Sequence, residues 1–250
     1  MNNTLIYAVT CLIFLLNHVS YALSYDEYLK VHEINTQTYN LIEGQNYDEA
    51  LVKAEESIKL DNDYERNSVP YYYKATSYKS LGRFNESIDC LEVIVRHFID
   101  KNDPRLWSIY KELGICCGRA TLYDKGEEYY SIAYLIHQDD QLLNNYAWLI
   151  GTAPKLTNRK SELGLKMAIK SCENTQFNNF AYLDALAACY GDNEQFDKAI
   201  EIQRKAIALV GDKKSFDFNL RLKLYQKKIK YRQDMDLDTI MKLLNPNDRM

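Results

Sequence analysis

Glycine and proline are scarce, at 9 and 4 of 250 residues. So few chain breakers disfavour a turn-rich β-fold and leave room for helices. Histidine is rarer, at 4, and neither His-Glu-x-x-His nor a Cys/His metal spacing occurs. There is no glycine-rich phosphate loop and no nucleophile set beside a base, so no catalytic, cofactor or metal residue is assigned. None of the 6 cysteines forms Cys-x-x-Cys. A net charge of -4 supplies no overall field for nucleic acid. Residues 1–24 contain no Asp, Glu, Lys or Arg.

That uncharged start has an apolar core from Leu5 to Leu16, the length of a secretory signal. Ser20 with Ala22, or Ala22 with Ser24, fits a small-x-small cleavage site. The expectation is export, to the periplasm or beyond. Retention as a membrane anchor through residues 5–23 is the alternative, opposed by Asn17 and His18 within that stretch. Beyond Cys11 stand Cys90, Cys116, Cys117, Cys172 and Cys189, an odd set that leaves at least one thiol unpaired. The neighbours Cys116 and Cys117 suit small buried side chains, with a redox or enzymatic use as the alternative.

What is abundant is apolar residues, charge and tyrosine: 46% hydrophobic, 26% charged and 21 Tyr. Tyrosine joins an apolar body to a polar tip and suits half-buried faces and binding surfaces. Charge is uneven. Residues 25–65 hold eleven acids against three lysines, whereas residues 213–232 hold eight Lys or Arg against Asp217 alone.

One pattern recurs: an aromatic, two mostly polar residues, a small residue, then positions four and seven further on. It reads Tyr47, Ala50, Ala54, Ser57; then Phe84, Ser87, Leu91, Ile94; then Tyr123, Gly126, Tyr130, Ala133; and last Phe196, Ala199, Gln203, Ala206. Gly164, Ala168 and Ser171 repeat it without the aromatic. The spacing marks one helix face, and small side chains there let a second helix come close. That second helix lies upstream each time, with Ala75, Gly114, Ala147 and Ala187 at its crossing point.

These residues resemble the tetratricopeptide repeat, a helix-turn-helix repeat; "YDEALVKAEESIKLD" and "FDKAIEIQRKAIAL" are similar to its second helix. The run from "NNYAW" through "LDALAACY" looks like a C-terminal module of bacterial tetratricopeptide proteins. The resemblance implies an all-α, right-handed helical solenoid. The expected organisation is a signal or anchor over 1–24, then a repeat domain over 25–212. That domain holds five helix pairs, at 31–64, 68–101, 107–139, 140–175 and 180–211. A basic capping helix over 213–232 and a tail over 233–250 follow. Pro154 breaks the helix of unit four, with Gly151 read as its stop and Ser161 as the N-cap of the next.

The resemblance implies a non-catalytic scaffold that holds a protein or peptide partner on the concave face, where the first helices of successive units lie. Carried onto this chain, the inward positions include Tyr39, Tyr72, Lys111, Asn144, Trp148 and Asp184, joined by Asn145. Asn144 and Asn145 read as exposed amides able to bond a peptide backbone, or as residues bonding within their own turn. Trp148 reads as packing or as contact area. The carboxylate clamp of some eukaryotic relatives is missing, since Asn35, Tyr39, Tyr73, Ser108 and Glu112 occupy its positions. A membrane-tethered assembly factor of the cell envelope is the alternative interaction class.

Overall fold

The computed structural model describes residues 23–61, 68–97, 106–211 and 215–245. Among them there are helices and no strands. The signal or anchor expected over 1–24, with Cys11, lies almost wholly outside the described residues. The chain forms two compact units, divided after His97.

The first unit holds α1 (Tyr25–Glu43), α2 (Tyr47–Leu60), α3 (Val69–Ser80) and α4 (Phe84–His97). Ser24 caps α1: its hydroxyl accepts the Glu27 N–H at 3.2 Å, and Glu27 accepts the Ser24 N–H at 2.8 Å. This reciprocal box satisfies two otherwise open donors. It also holds the Glu27 carboxyl below its ordinary value, through the Ser24 backbone N–H first and the hydroxyl second. The small residues foreseen at the crossing are fully enclosed: Ala50, Ala54 and Ser57 on α2, Ala75 on α3, Ser87 on α4. The Ser87 hydroxyl donates to the Ala75 carbonyl at 2.8 Å, so its polar atom is satisfied inside.

The second unit continues with α5 (Trp107–Arg119), α6 (Tyr123–Ile136), α7 (Asp140–Thr152), α8 (Ser161–Asn174), α9 (Phe180–Asp192) and α10 (Phe196–Val210). Here glycine serves the close approach. A Cβ on Gly114 would stand 2.6 Å from the Tyr130 ring, and one on Gly164 2.8 Å from Ile150. Each position therefore demands the smallest residue if its helix pair is to pack.

The turns inside four of the five pairs repeat one geometry, the turn between α7 and α8 being the exception. Gln45, Gly82, Thr121 and Glu194 all adopt positive φ, between 61° and 75°. The next N–H in each case reaches back to a helix carbonyl: Asn46 to Leu41, Arg83 to Tyr78, Leu122 to Cys117, Gln195 to Tyr190. This is the six-to-one bond of a Schellman cap, made here mostly without glycine.

Three details of unit four differ from the expectation. Gly151 lies within α7 and does not stop it; a Cβ there would meet the Cys189 Sγ at 3.1 Å, so it serves contact with α9. Ser161 is the first residue of α8 and not its cap, because its hydroxyl donates to Asp192 at 2.6 Å. The end of α7 is closed by Arg159, whose guanidinium donates to the Ile150 and Ala153 carbonyls. A cation at a helix C-terminus is favoured by the helix dipole.

The C-terminal part also departs from one basic helix over 213–232. Helix α11 (Phe216–Gln226) ends where Lys228 takes φ 58° and the Ile229 N–H returns to the Leu224 carbonyl. Residues 227–236 then run as a strap to α12 (Leu237–Leu244). Leu220, Leu224, Ile240 and Leu244 form a small core, with Ile229, Tyr231 and Met235 packed on it. Several of the cations expected on that basic helix bond the protein. Arg232 donates to the Gly151 carbonyl and to Asp192, both at 2.7 Å; Lys230 donates to the Asp192 carbonyl at 2.9 Å. The unpaired carbonyls at the ends of α7 and α9 attract them.

Candidate functional site

In the second unit, successive first helices place their side chains around a cleft of about 410 Å³. Ile115 and Arg119 come from α5, Asn144, Asn145 and Trp148 from α7, and Asp184 from α9. Phe218 of α11 and Gln233 of the strap complete the wall. Four of the seven groove residues read from the sequence therefore meet here: Asn144, Asn145, Trp148 and Asp184.

The other three stand elsewhere. Tyr39 and Tyr72 belong to the first unit and are 46% and 37% exposed; the Tyr39 and Tyr73 rings lie 6.3 Å apart. Lys111 is 7% exposed and outside the cleft lining. Its ammonium donates to Gln141 at 2.8 Å and Asp139 at 3.3 Å, and lies 4.6 Å from the centre of the Trp107 ring. It ties α5 to the start of α7.

The amide pair differs from its reading as exposed. Asn144 is buried, and its Nδ2 donates to the Asn145 Oδ1 at 3.3 Å. The Asn144 Oδ1 is enclosed without a hydrogen-bond partner among the described residues. Such an atom forgoes its bonds to water, at a cost of about 1–3 kcal/mol. Asn145 is only half buried and turns toward the cleft.

The floor around Asp184 is an ion pair wrapped in rings. Its carboxylate accepts from Arg221 Nε at 2.8 Å and from Gln203 Nε2 at 2.9 Å. The Arg221 guanidinium lies 4.9 Å from the Phe218 ring centre, 5.2 Å from Tyr231 and 5.7 Å from Trp148. Burial pushes the Asp184 carboxyl above its ordinary value, against the pull of Arg221 and Gln203. Burial works to lower the Arg221 guanidinium, and the adjoining carboxylate more than offsets it. A buried pair of this kind becomes costly if one member is removed, because the other is left as an uncompensated charge. Asp184 is thus first a framework residue, and the Trp148 ring lies tilted against that of Tyr231, at 6.0 Å between centres.

Sequence reading missed Arg119, Phe218 and Gln233. Arg119 falls in the last turn of its helix, and the other two follow the final repeat, where the register no longer guides. A signal existed for one of them: Phe218 precedes Arg221 by three residues on a helix, which puts both on one face.

Cys116 and Cys117 are fully enclosed on α5, and all five described cysteines are buried, with no disulfide among them. Burial pushes the Cys90 thiol up to about 11 and the Cys172 thiol up to about 12. A reactive thiolate needs the opposite setting. Among the described residues no group of three or more His, Cys, Asp or Glu side chains could hold a metal, and no helix is long and apolar enough to cross a membrane.

No family model and no curated protein matches the sequence. Solved structures do. YrrB, described as a TPR protein with an unusual peptide-binding site, superposes with a TM-score of 0.58 at 16% identity, over 78% of this chain and 91% of its own. PilW, a widely conserved type IV pilus biogenesis factor, superposes at 0.62 with 15% identity, over 87% and 93%. A thermophilic TPR protein of Thermus thermophilus gives 0.52 at 15% identity, over 79% and 98%. The protein therefore has the all-α helical-solenoid fold of tetratricopeptide-repeat proteins.

Proposed function

We propose that this protein is a non-catalytic interaction scaffold that binds a segment of a partner protein in the cleft of its second unit. The observation that carries the reading is the convergence of Ile115, Asn145 and Trp148, from two first helices, on one open cleft beside Phe218. Apolar walls with a few placed polar groups are how proteins hold small ligands and peptide side chains. The peptide-binding site in the description of YrrB supports the same use of the fold. We further propose that the chain is exported by its first residues, with tethering to the envelope as the alternative.

The test is quantitative co-purification from the source cells. Ile115 is half buried at the cleft wall, so Ile115→Arg fills the space with little disturbance of the core. A partner that co-purifies with the wild-type chain is expected to be lost from this variant at unchanged melting temperature. Equal recovery from both chains contradicts the cleft.

A further inference from the structure

The donors at the rim of the cleft say what it selects. Arg119 is exposed at the edge and has no ion pair among the described residues. Asp184, the other charge of the lining, is already matched by Arg221 at 2.8 Å. The cleft thus presents one cation without a counter-charge. Asn145 adds a second donor: its Oδ1 is taken by Asn144, and its own Nδ2 has no partner among the described residues. The rings of Trp148 and Phe218 line the same cleft.

Resting on the cleft reading above, we propose that the site selects a short segment carrying a carboxylate beside an aromatic or large aliphatic side chain. The carboxylate accepts from the Arg119 guanidinium and the Asn145 amide, and the apolar side chain lies against Trp148 and Phe218. Charge-assisted bonds of this type are stronger than neutral ones and give orientation as well as affinity. The volume, about 410 Å³, admits two or three side chains and not a folded surface. The carboxylate is an Asp or Glu side chain within the partner segment, since the clamp that holds a chain terminus in some relatives is missing here.

The experiment measures binding of fluorescent hexapeptide pools to the full chain by anisotropy. One pool carries Phe-Asp with an amidated end, a second Phe-Asn with an amidated end, a third Phe-Lys with an amidated end, and a fourth ends in a free Phe carboxylate. The Phe-Asp pool is expected to bind about tenfold tighter than Phe-Asn, a difference of one charged contact. A lead by the free-carboxylate pool overturns the side-chain source. Arg119→Glu, an exposed change, is expected to reverse the order in favour of Phe-Lys. Equal binding of the acidic and amide pools, or an order unmoved by Arg119→Glu, overturns the carboxylate selection alone. Binding of no pool, while the co-purified partner is still lost from Ile115→Arg, also overturns it and leaves the cleft standing. Binding of no pool together with equal partner recovery overturns both.

Discussion

Thr121 holds φ 62° in the turn between α5 and α6, where glycine is the unstrained choice. A β-branched side chain there crowds the backbone, and the left-handed region costs such residues about 1–2 kcal/mol. The turn persists because the Leu122 N–H bonds the Cys117 carbonyl at 2.8 Å and the flanking helices are packed. Thr121→Gly is therefore expected to stabilise the second unit by about 1 kcal/mol, less what glycine adds to the freedom of the unfolded chain. Urea unfolding checks it: a higher midpoint with an unchanged slope agrees, and a lower midpoint shows that the Thr121 side chain contributes contacts the strain argument leaves out. The same scale explains the misread amides. Asn144 sits on a helix face that spacing alone assigns to the groove, yet the side chains around it close it in.

At the level of elements, the repeat was readable because helix pairing imposes size on particular positions. Ala50, Ser87, Gly126, Gly164 and Ala199 recur since each faces a neighbouring helix at short range, and such a constraint is written in residue type. The C-terminal strap carries no such mark. Its hold on the fold comes from Lys230 and Arg232 reaching helix-end carbonyls far away in sequence, and a run of cations looks the same whether it faces water or a helix terminus. Hence the cap was foreseen as one basic helix over 213–232, and the cleft wall it supplies was missed. The start of α1 bears on processing. Cleavage after Ala22 retains Ser24 and its box with Glu27, whereas cleavage after Ser24 removes them, at about 1 kcal/mol to the helix. N-terminal sequencing of the chain isolated from its source cells is expected to read Leu23 first. Tyr25 first contradicts the capping argument, and Met1 contradicts cleavage.

For the molecule as a whole, the two units carry different surfaces. The exposed acids between Asp26 and Glu49 belong to the first, and the cleft with its unmatched arginine belongs to the second. In the second unit α11, the strap and α12 cover the last repeat with a core of their own, as a stack of repeats requires at its end. The cap also completes the wall of the cleft, through Phe218 and Gln233. The most direct measurement is residue-resolved photo-crosslinking in the native cell, with the probe replacing Asn145 in the cleft and a control replacing Lys170, exposed on α8 of the same unit. A discrete adduct from position 145 and none from 170, mapped by mass spectrometry to one short segment of one partner, is the predicted result. An adduct from 170 alone would place the binding surface on the outer helices and contradict the account.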